Sequence, residues 1–304
     1  MLRPFPTFTT DFTAHTDLKG PTMNTLFATT ILDNSTVQPA ARIVTRTRQH
    51  DVGAVTASIR SEWIKVRSLR SNRAIFGLTV VAGVVMSWVL ATFVKTDPYE
   101  HKAFTVANSF MAATWLTTVL AVIVGILMYT SEVQHGTISH ALAAQPARWV
   151  NVAGKATVAA GVGLAMGAIG IVATFLSGLA SGMPLGDTSS MPAVAGWGLA
   201  LTTMAAVLGV GVGMIVRHSS SAVSTALVWT FVLENLIRNM APANMSRLLP
   251  FSAANGMLGI RSAGDTTKTL AAALSSTQDA LLFGGYTVIA VLVGTALLYR
   301  RDAE

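Results

Sequence analysis

Few side chains in this 304-residue sequence could do chemistry, and their spacing argues against most of it. His135 and His140 stand five apart, a poor interval for two ligands on one helix face, and the chain has no cysteine to complete a thiolate metal site or act as a nucleophile. Gly154-Lys155 is followed by Ala156 and lacks the upstream glycine and the terminal Ser or Thr of a phosphate-cradling loop, so it does not read as an ATP site. What remains is Glu234, with Asn235 beside it, inside an apolar run. A carboxylate at helix-centre depth in a bilayer costs about 2.5 to 3.5 kcal/mol. Glu234 therefore reads either as a structural acid paired with Arg238 or Arg247, or as a substrate or proton contact in a pathway.

The elements that position these residues are six apolar stretches, near Ile75 to Val94, Val106 to Met128, Thr157 to Leu179, Ala193 to Val216, Ala222 to Met240 and Ala280 to Tyr299, with Glu234 their one acid. Each has the roughly 20 residues that cross a hydrocarbon core of about 30 Å. Backbone amides in lipid must be satisfied within the segment, so the expected fold is an all-α membrane protein with six transmembrane helices. Composition agrees: 52% of residues are hydrophobic and 12% charged, against roughly 25% charged in soluble domains, and the mean hydropathy is +0.55. The net charge of +7 comes from bases that crowd beside the apolar stretches, which favours an anionic leaflet over nucleic acid as partner. Residues 1–57 are rich in Thr, Asp, Asn and Pro and read as a disordered cytoplasmic tail, with Met23 a possible alternative start. Residues 58–304 form the transmembrane domain.

Orientation follows from charge. Arg60, Lys65, Arg67, Arg70 and Arg73 precede the first span, and the positive-inside rule assigns that cluster to the cytoplasm. Threading forward puts Arg148 and Lys155, then Arg217 and His218, then Arg300 and Arg301 on the same side, so both termini are expected in the cytoplasm.

Three connecting segments carry further patterns. From Ser58 to Arg73, Ile59, Trp63, Val66 and Leu69 share one face of an amphipathic interfacial helix, on which Glu62 and Arg70 intrude and must snorkel or pair. That helix reads as a juxtamembrane anchor or as an elbow that moves with the bundle. After the second span, Gly136 can break a helix, Thr137 can cap another and Pro146 limits it to about two turns, giving either a short docking helix or a plain chain reversal. Between the last two spans, Leu248 to Ile260, with Pro250 and Phe251, is apolar enough to dip into the leaflet or to lie along its surface. Gly161, Gly163, Gly167 and Gly170, with Gly209, Gly211 and Gly213, match the spacing for close helix approach, within one subunit or at a seam between subunits.

The segments RSEWIKVRSLRSN, SEVQHGTISHALAAQPARWVNVAGK and RLLPFSAANGM resemble the interfacial helix, coupling loop and outer loop of ABC-2 type transporter permeases in the style common among actinobacteria. The family pattern is met by Ser131, Glu132, His135, Gly136, Thr137, Ile138, Pro146, Arg148 and Lys155, and the resemblance covers Ser58 to Arg301.

The resemblance implies a multi-pass permease subunit of the bacterial plasma membrane that is not itself an enzyme. Two permease copies, a homodimer, would work with two copies of a separate ABC ATPase, which binds ATP and Mg; the permease holds no cofactor. Glu132, His135, Gly136, Thr137, Ile138, His140, Leu142 and Arg148 would couple to the ATPase, and short re-entrant helices near Pro250 and Phe251 would form an outer gate. The function implied is export of a hydrophobic or amphipathic substrate: a drug, an antibiotic peptide or a lipid. The alternatives are a secondary transporter, which should show paired ionisable groups near the midplane, and a non-transporting membrane scaffold or immunity protein.

Overall fold

The computed structural model describes residues 49–68, 70–96, 106–137, 147–182, 189–260 and 273–301. All belong to one compact unit, Thr47–Glu304. Among these residues every regular element is a helix, with no strand. In chain order the helices are α1 (Gln49–Ser68), α2 (Arg70–Thr96), α3 (Val106–Gln134), α4 (Arg148–Ala180), α5 (Met191–Val216) and α6 (Ser219–Val228). A π-helical turn, Trp229–Leu233, joins α6 to α7 (Glu234–Met240), and then follow α8 (Ala243–Ser246), α9 (Pro250–Met257) and α10 (Ser276–Arg301).

Each expected span falls within a helical stretch. Five are long and apolar enough to cross a membrane: Asn108–Gln134, Arg148–Ala180, Met191–Val216, Ser219–Met240 and Ser276–Arg300. In α2 the apolar run Phe76–Thr92 is shorter than the other five. Several helices overrun their apolar stretches. Helix α3 continues past Met128 to Gln134, and α4 begins at Arg148, ahead of Thr157, because the charged residues in these extensions find partners on neighbouring helices. Helix α1 starts at Gln49, reaching back into the stretch read as tail; the rest of that stretch lies outside the described residues.

Helix α5 is the central post. It packs on α3, α4 and α10, and glycines at each contact let the backbones close. Gly125 of α3 and Gly209 of α5 face each other: a Cβ on Gly125 would strike the Ala206 carbonyl, and one on Gly209 the Val122 carbonyl. Gly163 and Gly167 of α4 receive Thr202 and its neighbours, and Gly211 meets Ala290 of α10. These glycines are thus spent on packing inside one subunit, where small residues replace the missing hydrophobic drive between helices in lipid. Gly161 differs, since nothing lies within 4 Å of its Cβ position.

The post's own Leu201, Val210 and Met214 are fully buried, as are Ile126, Met166 and Phe283 around it. Outward, α2 turns Leu78, Val81, Val85 and Trp88 to the surroundings, and the rod Ser219–Met240 turns out Val228, Phe231, Val232 and Leu236. Such apolar exterior is the surface a bilayer solvates.

Candidate functional site

Four charged side chains meet at one end of the bundle. Glu62 of α1, Glu132 of α3 and Lys155 of α4 are buried, and Lys65 of α1 is partly exposed. Lys155 Nζ lies 2.7 Å from Glu62 Oε2 and 2.8 Å from Glu132 Oε1, and it also donates to the Met128 carbonyl at 3.3 Å. That uses the three protons of an ammonium. Lys65 Nζ bridges the same acids, 2.6 Å from Glu62 Oε1 and 2.9 Å from Glu132 Oε1. Two acids and two bases sum to zero, which makes their burial tolerable. Burial alone would lower the basicity of Lys65, but the hydrogen bonds and charges of Glu62 and Glu132 outweigh it and hold the ammonium above the usual lysine range.

The interfacial helix therefore packs differently from its apolar pattern. Its inward stripe is Ile59, Glu62 and Val66; Trp63 is exposed, and Leu69 lies outside the described residues. Glu62 displaces Trp63 from the packed face because Lys155 waits opposite. Gly154 opens the approach, since a Cβ there would strike Ser58 Oγ. Of the two fates open to Glu62, pairing is the one realised.

The quartet sits at the foot of the segment between α3 and α4. Gly136 takes a left-handed conformation (φ 67°) and ends α3, as its type allows. The last carbonyls of α3 are then satisfied locally: Ser131 O by the His135 amide at 3.0 Å, Val133 O by the Gly136 amide at 3.2 Å, and Glu132 O by the Thr137 hydroxyl at 3.3 Å. Thr137 thus closes the outgoing helix. His135 is exposed, its Nδ1 2.7 Å from Ser131 O. Ile138, His140, Leu142 and Pro146 lie outside the described residues. On the far side of that segment, Arg148 Nη1 donates to the carbonyls of Leu298 (3.4 Å) and Tyr299 (3.3 Å) at the end of α10, and its guanidinium lies over the Tyr299 ring, 5.3 Å from the centroid. A cation there meets the negative end of a helix dipole. Ser219 of α6 adds a bond to Gln134 Oε1 at 2.9 Å.

Glu234 occupies the opposite end. It is buried, and Trp229 Nε1 donates to its Oε2 at 3.2 Å, while the Ser252 amide donates to Oε1 and the Phe251 amide adds a second backbone bond. Pro250, at the first position of α9, has no amide to satisfy. The carboxylate thus caps the next two orphan donors of α9 from another helix. Phe251 packs edge-on against Phe283 of α10 (6.4 Å between centroids), and Tyr286 Oη donates to the Leu248 carbonyl at 2.8 Å. Asn235 is exposed and its Nδ2 bonds Phe231 O at 3.0 Å. Among the residues singled out from sequence, Glu234, Pro250 and Phe251 come together, and Asn235 stands apart.

Glu62, Lys65, Lys155, Trp229, Ser252 and Asp279 escaped the sequence reading as site residues, although Glu62 was marked as needing a partner. Asp279 is buried in the first turn of α10, its carboxylate against Gly256, where a Cβ could not fit. The reciprocal pair of bonds between Ser275 and Gln278, which opens α10, was a readable signal for that helix start.

No curated protein matches the chain. Residues 58–235, more than half of the sequence, match the family described as ABC-2 family transporter protein. That match begins within the helix that brings Glu62 to Lys155 and ends one residue past the acid that caps α9, and the chain belongs to the ABC-2 transporter family.

Proposed function

We propose that the chain is the permease subunit of an ATP-driven exporter in the bacterial plasma membrane. Six helices cross the bilayer, α2 included, and both termini face the cytoplasm, with residues 1–57 as a tail ahead of the transmembrane domain. The segment 138–146, with Glu132, His135, Gly136, Thr137 and Arg148 at its feet, docks on a separate ABC ATPase that binds ATP and Mg. Two permeases and two ATPases make the working unit. Helix α9 closes the outer end. The cargo is hydrophobic or amphipathic, in keeping with the apolar bundle.

One observation carries this reading: both feet of the segment are tied to other helices. Glu132 reaches α1 and α4, Gln134 reaches α6, and Arg148 reaches the end of α10. A push delivered there is shared by the bundle, which is what biasing a two-state transporter by a few kcal/mol requires. The test uses the absence of cysteine. His135→Cys should label from the cytoplasmic side alone, and the chain in proteoliposomes should stimulate a co-expressed ABC ATPase. Replacing residues 138–146 with a Gly-Ser linker should abolish the stimulation while the bundle stays folded. Labelling from outside, or indifference to every ABC ATPase tried, overturns the proposal.

A further inference from the structure

The rod from Ser219 to Met240 is not a uniform α-helix. At Trp229–Leu233 it widens into a π turn, and the Glu234 amide bonds back to the Trp229 carbonyl, five residues earlier. The side chains repeat that link, since Trp229 Nε1 donates to Glu234 Oε2 at 3.2 Å. In an α register five residues turn through about 500°, leaving positions 229 and 234 roughly 140° apart around the axis, too far for the indole to reach the carboxylate. The π turn is therefore what aligns them. It is braced from outside by Trp115 of α3, whose ring stands edge-on to Phe231 with centroids 5.2 Å apart.

The other oxygen of Glu234 takes the Ser252 amide, so a chain of contacts runs from the widened turn through one carboxylate to the start of α9. We propose that Glu234 is a positioning residue for the outer helix and that the π turn is the hinge that aims it. In the π register Glu234 caps α9 and holds it down. Loss of the extra residue from the turn rotates everything beyond it by about 100° and draws it back by about 1.5 Å. Glu234 then leaves the Phe251 and Ser252 amides, and α9 is released. Such single-turn widenings recur at functional positions. The proposal rests on reading α9 as the outer gate, and it names the device that latches that gate.

The test reads α9 directly. Asn255, half-buried on α9, is replaced by cysteine in the otherwise cysteine-free full chain, and its labelling by a membrane-impermeant maleimide is timed in proteoliposomes. Losing a cap should raise the labelling rate roughly five- to tenfold in Glu234→Ala. Trp229→Phe, which keeps a ring and removes the donor, should raise it by a smaller factor. Deleting Val232 should match Glu234→Ala, whereas Val232→Ala, which keeps the register, should label at the parental rate. Each variant is compared at a parental melting temperature. If the deletion does not fold, Glu234→Ala and Trp229→Phe decide alone. Parental labelling in either of these two, or labelling in Val232→Ala as fast as in Glu234→Ala, overturns the latch. Faster labelling with unchanged export leaves the latch standing and removes the gate reading.

Discussion

Glu62 Oε2 and Lys155 Nζ stand 2.7 Å apart, both buried, and join the first helix to the fourth across 93 positions of sequence. Removing Glu62 leaves Lys65 and Lys155 to share Glu132, a net positive charge at a dry site. Glu62→Ala should therefore destabilise the detergent-solubilised protein by about 3–5 kcal/mol. Glu62→Leu combined with Lys155→Met restores neutrality and should recover most of that loss. Chemical unfolding of the two variants checks it; equal stability of single and double variants would count against a coupled pair.

Lys65 gives a pH signature. Its ammonium is held above the unfolded value of 10.5, so the stabilisation it adds is complete below 10.5 and fades as pH climbs through the raised folded value. The difference in melting temperature between wild type and Lys65→Met should stay flat from pH 6 to pH 9 and shrink only above about pH 10.5. A difference that vanishes near neutrality would refute the assignment.

Gly209 and Gly161 predict opposite outcomes for one substitution. Gly209→Ala places a methyl against the Val122 carbonyl and should cost about 1–3 kcal/mol by forcing α3 from α5. Gly161→Ala meets nothing and should be neutral or stabilising by up to about 1 kcal/mol through helix propensity. Thermal melts of the pair in one detergent settle the contrast.

Arg148 fastens the last turn of α10. Arg148→Ala should let residues 296–301 fray, which hydrogen exchange would register as faster uptake confined to that turn, with stability lowered by about 0.3–1 kcal/mol. Arg148→Lys keeps the charge but not the planar donor over Tyr299, so it should rescue only part of the protection.

The helices and the glycine contacts were legible in the sequence because each depends on local pattern: apolar length, or small residues at close spacing. Gly163, Gly167 and Gly209 are used as that spacing implies, and Gly125, which faces Gly209, stands four residues after Ala121 at the same spacing, although only the glycine pairs were singled out. The family was legible from motifs at Glu132 to Lys155, while the burial of those charges was not, since it depends on where α1 lands against α4. Glu62 was marked as an intruder needing a partner; which partner is a matter of tertiary register. Glu234 was visible as a lone acid, but its cap on Ser252 depends on a π turn, which has no sequence signature and overrides the α period on which the reading relied.

The zero sum at Glu62, Lys65, Glu132 and Lys155 has an electrical consequence. A single charge carried through the membrane potential exchanges about 2.3 kcal/mol per 100 mV with the field. A neutral foursome moving along the bilayer normal exchanges nothing, so voltage neither drives nor resists the displacement of these four side chains, whereas Arg148 at the same end keeps its charge.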